Sequence, residues 1–506
     1  MVHTAGAPTS QAPVVKNVNG IEEPLDATTA QLIFQVKVGG VLTSLSINYD
    51  PVQHRFMRFR HEPPTNSIVF ETSPDGIVYV VQNRVVLQKG VSALTAELSA
   101  GTSSPTNPGQ AVFDNFGLVT STFQFSAGSY TVGEGDGSVL VTVTRTGSTT
   151  DAASVSYATT DGTASQTNKY ITAVGTLSFA PGQTSRTFNV LIVDNALTEG
   201  NQALNLFLSN PVGSGLNIPG RAVLTITDND TTVATGNPLD DPAFFVNQQY
   251  FDFLNRTPDS SGRAFWINQI TSCGTDTACV EIRRINVSAA FFISIEFQET
   301  GYLVERIYKA TYGDAVGTSN FGPTHQLPVP VIRFNEFLPD TQQIGQGVVV
   351  NQTGWEQVLE NNKQAFIAEF VQRARFTAAY PTTMTPAQLV DALYLNAGVT
   401  PSTAEQTSVI NEFGGASTSA DTAARARALR RVAENSILNQ QEFNQAFVLM
   451  QYYGYLRRNP NDTPDSDYSG YDFWLTKLNQ FNGNFVNAEM VKAFIVSGEY
   501  RQRFGP

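Results

Sequence analysis

Five carboxylates sit at the ends of apolar, alternating runs between residues 121 and 232: Glu134, Asp194, Glu199, Asp228 and Asp230. Calcium is a hard cation that takes six to eight oxygens, mostly from carboxylates and carbonyls. Acids brought together at one end of a fold repel one another, and a bound cation removes that cost. Two of the five share one stretch, "VDNALTEGNQALNL" from Val193 to Leu206, which also carries Asn195 and Gln202, the amides of the same acids. Three readings stay open at this point: a calcium loop, an eroded calcium loop, or a polar turn.

The elements that must position these acids are strands. In "SVLVTVTRTG", Val139, Val141 and Val143 share a face; in "RTFNVLIVD" it is Phe188, Val190 and Ile192; in "ALNLFL" it is Leu204, Leu206 and Leu208. Short alternating strands separated by Gly and Asp turns predict a β-sandwich, whose loops gather at its two ends. "YTVGEGDGSVLVTVTRTG", "GTLSF" with the Pro-Gly after it, and the closing "TITDND" make residues 121–232 resemble a Calx-beta domain. That resemblance implies an immunoglobulin-like sandwich with calcium held by loop acids. The sequence departs from the family pattern at four places. Lys169 stands before Tyr170 where calcium-binding members carry an acid; Asn195 stands for a second Asp, Gln202 for a Glu, and Asn229 breaks the closing run of Asp. The full multi-ion cluster is therefore not expected. What remains is one weak calcium site on Glu134, Asp194, Glu199, Asp228 and Asp230, or a metal-free sandwich with Lys169 as an internal counterion.

Other candidate chemistry is sparse. The two cysteines, Cys273 and Cys279, flank a short turn, "SCGTDTAC". A disulfide there would contribute about 2 kcal/mol by loop entropy and points to an oxidising compartment; the alternative is two buried thiols. The four His are scattered, and G-x-S-x-G, H-E-x-x-H and a phosphate-binding loop with its Lys are absent, so no catalysis is expected. "GEGDG" precedes a strand and reads as a turn. "DTPDSDYSGYD" holds Asp462, Asp465, Asp467 and Asp472 without EF-hand spacing and reads as helix capping. Trp266 and Trp474 follow Phe at matching repeat positions and read as core anchors. Asp114 in "FDNF" reads as a turn residue, with a structural calcium as the alternative.

The 506 residues allow three or four domains, and the formal net charge of −13 makes nucleic acid an unlikely partner. No run approaches the ~20 apolar residues of a spanning helix, and the start lacks the basic and apolar regions of a signal peptide. Residues 15–120 read as strands; "MRFRHEPPTNSIVFETSPDG" and "FDNFGL" resemble the later part of a laminin-G or concanavalin-type jelly roll. That resemblance implies missing upstream strands and thus a truncated start. Residues 233–242 read as a linker and 243–506 as helical repeats, with copies near 243–312, 365–443 and 444–506. "FVNQQYFDFLNRTPDSSGRAFW", "VSAAFFISIEFQETGYLV" and "AFIVSGEYRQRF" resemble a bacterial helical family of unknown function found in secreted and S-layer-associated proteins. "GDAVGTSNFGPTHQLPVP", from Gly313 to Pro330, reads as an exposed loop.

The expected fold class is thus multidomain: an all-β N-terminal half, a partial jelly roll plus a Calx-beta sandwich, and an all-α C-terminal half. The expected function is a non-catalytic bacterial protein of the cell surface or extracellular space, working in adhesion or as a scaffold. The expected partner is a protein or glycan at the cell surface, and the expected cofactor is weakly bound Ca2+. Alternatives are a carbohydrate-binding accessory protein, with Phe56, Phe59 and Tyr79 as the aromatic platform, or a fragment of a larger secreted enzyme.

Overall fold

The computed structural model describes residues 121–506 apart from 167 and 232–235. Before them it describes 2–3, 31–38, 41–48, 50, 52–54, 56–62, 67–74, 79–86 and 112–113. The chain forms two compact units, Met1–Thr120 and Ser121–Pro506.

In the first unit, β1 (Val2–His3), β4 (Phe56–Glu62), β5 (Ser67–Ser73), β6 (Val80–Val86) and β7 (Val112–Phe113) make one sheet in the order β6-β5-β4-β1-β7. β2 (Gln31–Val38) and β3 (Val41–Asn48) pair separately as a hairpin. The hairpin expected around "SPDG" is the antiparallel β5–β6 pair, with Thr72 opposite Val80. Asp114 and the side chains of Phe56 and Phe59 lie outside the described residues.

The second unit opens with the sandwich. One sheet runs β12-β14-β10-β8-β16: β12 (Tyr170–Ile171), β14 (Ser185–Ile192), β10 (Ser138–Gly147), β8 (Ser121–Phe125) and β16 (Gly215–Leu216). The other runs β13-β11-β15-β17-β9: β13 (Val174–Phe179), β11 (Ala153–Thr160), β15 (Gln202–Val212), β17 (Arg221–Thr227) and β9 (Ser129–Gly133). The pairing is antiparallel except for β16 with β8 and β17 with β9. Alternation drives the packing. Val141, Val143, Val190, Ile192, Leu204, Leu206 and Leu208 are all sealed in one core, with Phe123 and Phe125 beside them. Each such aliphatic side chain contributes about 1.5–3 kcal/mol of burial.

The second half of the unit is helical: α1 (Pro242–Gln249), α2 (Ser260–Thr271), α3 (Thr277–Ile293), α4 (Ile295–Glu299), α5 (Gly301–Tyr312), α6 (Phe334–Gly345), α7 (Trp355–Phe370), α8 (Ala374–Ala379), α9 (Pro386–Ala397), α10 (Thr403–Ile410), α11 (Thr422–Ala433), α12 (Ser436–Gln451), α13 (Ser469–Gln480), α14 (Met490–Ile495) and α15 (Gly498–Arg501). Among the described residues, no helix is long and apolar enough to cross a membrane. One stretch departs from expectation. Gly313–Pro330 is not an open loop, since β18 (Asp314–Ser319) pairs along its length with β19 (His325–Pro330). Pro328 and Pro330 are two residues apart, so their nitrogens fall on one edge, which a two-stranded hairpin can leave unpaired.

The sequence similarity between the start and end of this half has a physical counterpart. Each copy carries a π-helical turn, Tyr250–Leu254 and Tyr452–Leu456, closed by a left-handed residue, Asn255 or Arg457. The next arginine forms a forked ion pair: Arg256 with Glu296 at 2.6 and 2.8 Å, and Arg458 with Glu499 at 2.6 and 3.0 Å. Trp266 packs 5.8 Å from Phe291, and Trp474 5.8 Å from Phe494; both tryptophans lie against the helical core. Ser294 and Ser497 cap the helices that follow.

Sandwich and helices share a core. Toward its end β14 stops alternating: Val190 and Ile192 face the sandwich interior, while Leu191 and the next odd residue, Val193, join the helical core together with Ile171. Gln342 of α6 adds polar contacts, accepting from Val174 N and donating to Thr172 O.

Candidate cation site

Three connections converge at one end of the sandwich. Glu134 opens a 3-10 turn, Glu134–Asp136, between β9 and β10. Asp194 and Glu199 lie between β14 and β15, and Asp228 and Asp230 follow β17. A carboxylate oxygen each from Glu134, Asp228 and Asp230 lies within 4.8 Å of the other two. Gly135 keeps the turn close to the opposite loops: a Cβ there would stand 3.1 Å from Asn229 Nδ2.

Lys169 enters this cluster from the side. Its Nζ lies 2.7 Å from Glu134 Oε1 and 2.6 Å from Glu199 Oε2, and Lys169 and Glu134 are both sealed from solvent. Glu134 Oε1 also accepts from Asn195 N at 3.1 Å. Burial alone pulls the Lys169 pKa down. Hydrogen bonds and charge from Glu134 and Glu199 outweigh it and hold the ammonium above the ordinary lysine value. Glu134 itself is raised, because its burial costs more than Lys169 and Asn195 return. Both values rise: the lysine, facing two carboxylates, is held in its charged form, whereas burial of the glutamate, which faces one ammonium, disfavours its charged form. The position that carries an acid in calcium-binding relatives therefore carries a tethered cation.

The remaining acids are arranged by backbone amides and amide side chains. Asp228 accepts from Asp230 N at 2.8 Å, Glu199 N at 2.8 Å and Gly200 N at 2.6 Å, and these bonds, led by that from Asp230, lower its pKa. Asp194 Oδ1 accepts from Asn229 Nδ2 at 3.1 Å. The amide that interrupts the closing acidic run thus orients one of the acids. Asn195 Oδ1 ties its own loop by accepting from Leu197 N at 2.8 Å. Gln202 opens β15 opposite Ile226. Asp230 is raised, first by burial and then by the charges of Asp228 and Asp194.

Two buried oxygens, Glu134 Oε2 and Asp230 Oδ2, accept no hydrogen bond among the described residues. Buried polar atoms are rarely left so. Both belong to the three acids that converge, so the donor set fits one hard cation: carboxylate oxygens from two connections, with Lys169 bonded to Glu134 Oε1.

The other candidates resolve differently. Cys273 and Cys279 form a disulfide with Cα atoms 5.6 Å apart, across the turn between α2 and α3. The acids of "DTPDSDYSGYD" serve mostly in pairs rather than caps. Asp462 meets Arg333, Asp465 meets Arg458, and Asp472 accepts from Ser319 Oγ at 2.6 Å and lies 3.2 Å from His325 Nε2. Asp467 alone accepts an N–H at the start of α13, from Ser469 at 2.8 Å. Arg333 and the hairpin, distant in sequence, and Arg458, seven residues before Asp465, out-compete local capping.

A two-sheet sandwich with loop carboxylates converging at one end defines an immunoglobulin-like module. Residues 119–230 match the Calx-beta domain family and form a Calx-beta domain. Over 107 residues the chain is 37% identical to the sodium/calcium exchanger Calx of Drosophila melanogaster, a stretch covering 21% of this chain and 11% of the exchanger. Among solved structures, the apo-form Calx CBD1 domain is 36% identical, covering 22% of this chain and 99% of that one, with a TM-score of 0.22. The calcium binding domain CBD12 of CALX1.1 is 37% identical, covering 21% and 46%, with a TM-score of 0.21.

Proposed function

We propose that the chain is a non-catalytic modular protein of the cell surface or extracellular space, whose Calx-beta domain binds one calcium ion. The partner is a protein or glycan, and the work is adhesion or scaffolding. The observation that carries the calcium reading is the sealed Glu134, whose Oε2 has no partner among the described residues and whose carboxylate stands with those of Asp228 and Asp230. Lys169 takes the place of a further ion, so one calcium and modest affinity are expected, roughly 10⁻⁴ to 10⁻³ M as in extracellular modules. The Cys273–Cys279 bond favours an oxidising compartment. Against catalysis stands the grouping of Ser319, Asp472 and His325. The aspartate oxygen lies between serine and histidine, whereas a nucleophile needs its base beside it.

Calorimetric titration of calcium chloride into the metal-stripped chain tests this reading, with Asp228→Asn and Asp230→Asn as controls. Heat for one site, lost in both variants, is the expected result. No heat in the wild type would leave a metal-free sandwich neutralised in part by Lys169.

A further inference from the structure

We propose that the cation cluster acts as a latch, resting on the calcium reading above: occupancy tightens the grip of the sandwich on residues 501–506 of the helical region. The segment that carries Asp194 and Glu199 has two sides. Toward the cluster, Asn195 N donates to Glu134 Oε1 at 3.1 Å. Away from it, Val193 is sealed in the helical core and Ala196 N donates to Phe504 O at 2.7 Å. The two amides are adjacent in sequence, so a shift of the loop that moves one moves the other.

The second acidic connection ends on the same segment. Asn237, seven residues past Asp230, places Nδ2 at 2.9 Å from Arg501 O, 3.1 Å from Gly505 O and 3.2 Å from Pro506 O. Its Oδ1 accepts from Leu239 N at 3.1 Å. Asp240 then pairs with Arg501 through both guanidinium nitrogens, at 2.9 and 2.8 Å. Residues 501–506 are in turn anchored in the helical half. Phe504 is sealed between Phe244 and Tyr500, and Arg503 donates to Tyr455 O at 2.8 Å. Ala196, next to the residue that bonds Glu134, and Asn237 therefore both bond one short piece of the helical region.

Without a cation, the acids around Lys169 repel and the loop amides have reason to spread. With one, Glu134, Asp228 and Asp230 are drawn together, and the loop carrying Ala196 is held in the position that bonds Phe504. Linkage makes the effect reciprocal: whatever loosens the dock must weaken cation binding by the same factor.

Hydrogen exchange on the full metal-stripped chain, with and without calcium chloride, reads the latch directly. Exchange in peptides from 237–244 and 498–506, which supply none of the five acids, is expected to slow at least about fivefold. In the calorimeter, Asn237→Ala is expected to bind calcium about 5- to 20-fold more weakly, within the usual range of coupling between sites. Binding heat with unchanged exchange in both peptides, and wild-type affinity in Asn237→Ala, would overturn the latch and leave the calcium site standing. Absence of any heat would overturn both. The wild-type exchange comparison needs no variant, so a folding defect in Asn237→Ala does not blunt the test.

Discussion

The Lys169 ammonium lies 2.7 Å from Glu134 Oε1, and neither side chain reaches solvent. A buried pair is costly to break, because removing one partner strands the other as an uncompensated charge. Lys169→Ala is therefore expected to destabilise the chain by about 3–5 kcal/mol without calcium, read as a lower denaturant midpoint at unchanged slope. Calcium should recover part of that loss, because an ion can take over the charge the ammonium supplied. Lys169→Asp goes further: it restores an acid where calcium-binding relatives have one, and calcium stoichiometry should rise from one to two per chain. Stoichiometry that stays at one would mean that Asn195 and Asn229, not Lys169, limit the site.

The pH response follows from two raised carboxyls. Glu134 is raised first by burial, and Asp230 by burial and then by Asp228 and Asp194. A raised acid favours the folded state below its unfolded pKa and loses that contribution as pH rises through the folded value. Calcium requires the ionised form. The stabilisation by calcium is therefore greatest near neutral pH and shrinks on acidification, starting above the ordinary carboxylate range near 4. At ten times the dissociation constant, linkage gives about 1.4 kcal/mol of stabilisation. Melting curves with and without calcium between neutral and mildly acidic pH should converge. A gap that persists down to the range of exposed carboxylates would place the ion on other groups.

The sandwich was legible because it is locally encoded: Val141, Val143, Leu204, Leu206 and Leu208 alternate, and all face the core. The loop acids were legible as residue types, and Lys169 as a potential counterion. The joint with the helices was harder to see. Its trace in the sequence is the run Val190, Leu191, Ile192, Val193, where alternation fails because both faces are covered. Asn237, Ala196 and Phe504 leave no such trace, since their bonds run to backbone carbonyls across a long separation. The Gly313–Pro330 hairpin was hidden by its prolines, which the sequence reading treats as breakers. Asp462 and Asp472 pair rather than cap because Arg333, Ser319 and His325 are brought to them by tertiary packing.

The Cys273–Cys279 bond offers a check independent of the cation. It closes a short turn between α2 and α3, and both residues are partly exposed, so mild reductant should reach it. Reduction, or Cys273→Ser with Cys279→Ser, is expected to cost about 2 kcal/mol by the loop-entropy estimate. The effect should appear as faster amide exchange at the start of α3, with calcium binding unchanged. A change in calcium affinity on reduction would mean that this turn communicates with the sandwich.

The two outer repeat copies make the sharpest packing prediction. Gly262 and Gly470 occupy matching places near the starts of α2 and α13, and a Cβ at either would run into a tyrosine hydroxyl, Tyr250 or Tyr452. At Gly470 the Tyr452 oxygen would stand 2.5 Å away. The tyrosine cannot easily yield, because it is sealed, meets Phe494 edge-on at 5.3 Å and lies under the Arg458 guanidinium. Overpacking of this kind costs about 1–3 kcal/mol, against roughly 1 kcal/mol gained in helix propensity. Gly470→Ala should thus destabilise by up to about 2 kcal/mol. Gly498→Ala, whose new Cβ would meet nothing nearer than Gln502 Nε2 at 3.9 Å, should be neutral or mildly stabilising. Tyr452→Phe removes the atom in the way without emptying the ring site. In the double-mutant cycle, Gly470→Ala should then cost less in the Tyr452→Phe background than in the wild type. Additive costs would show that the glycine is required by its backbone rather than by the hydroxyl beside it.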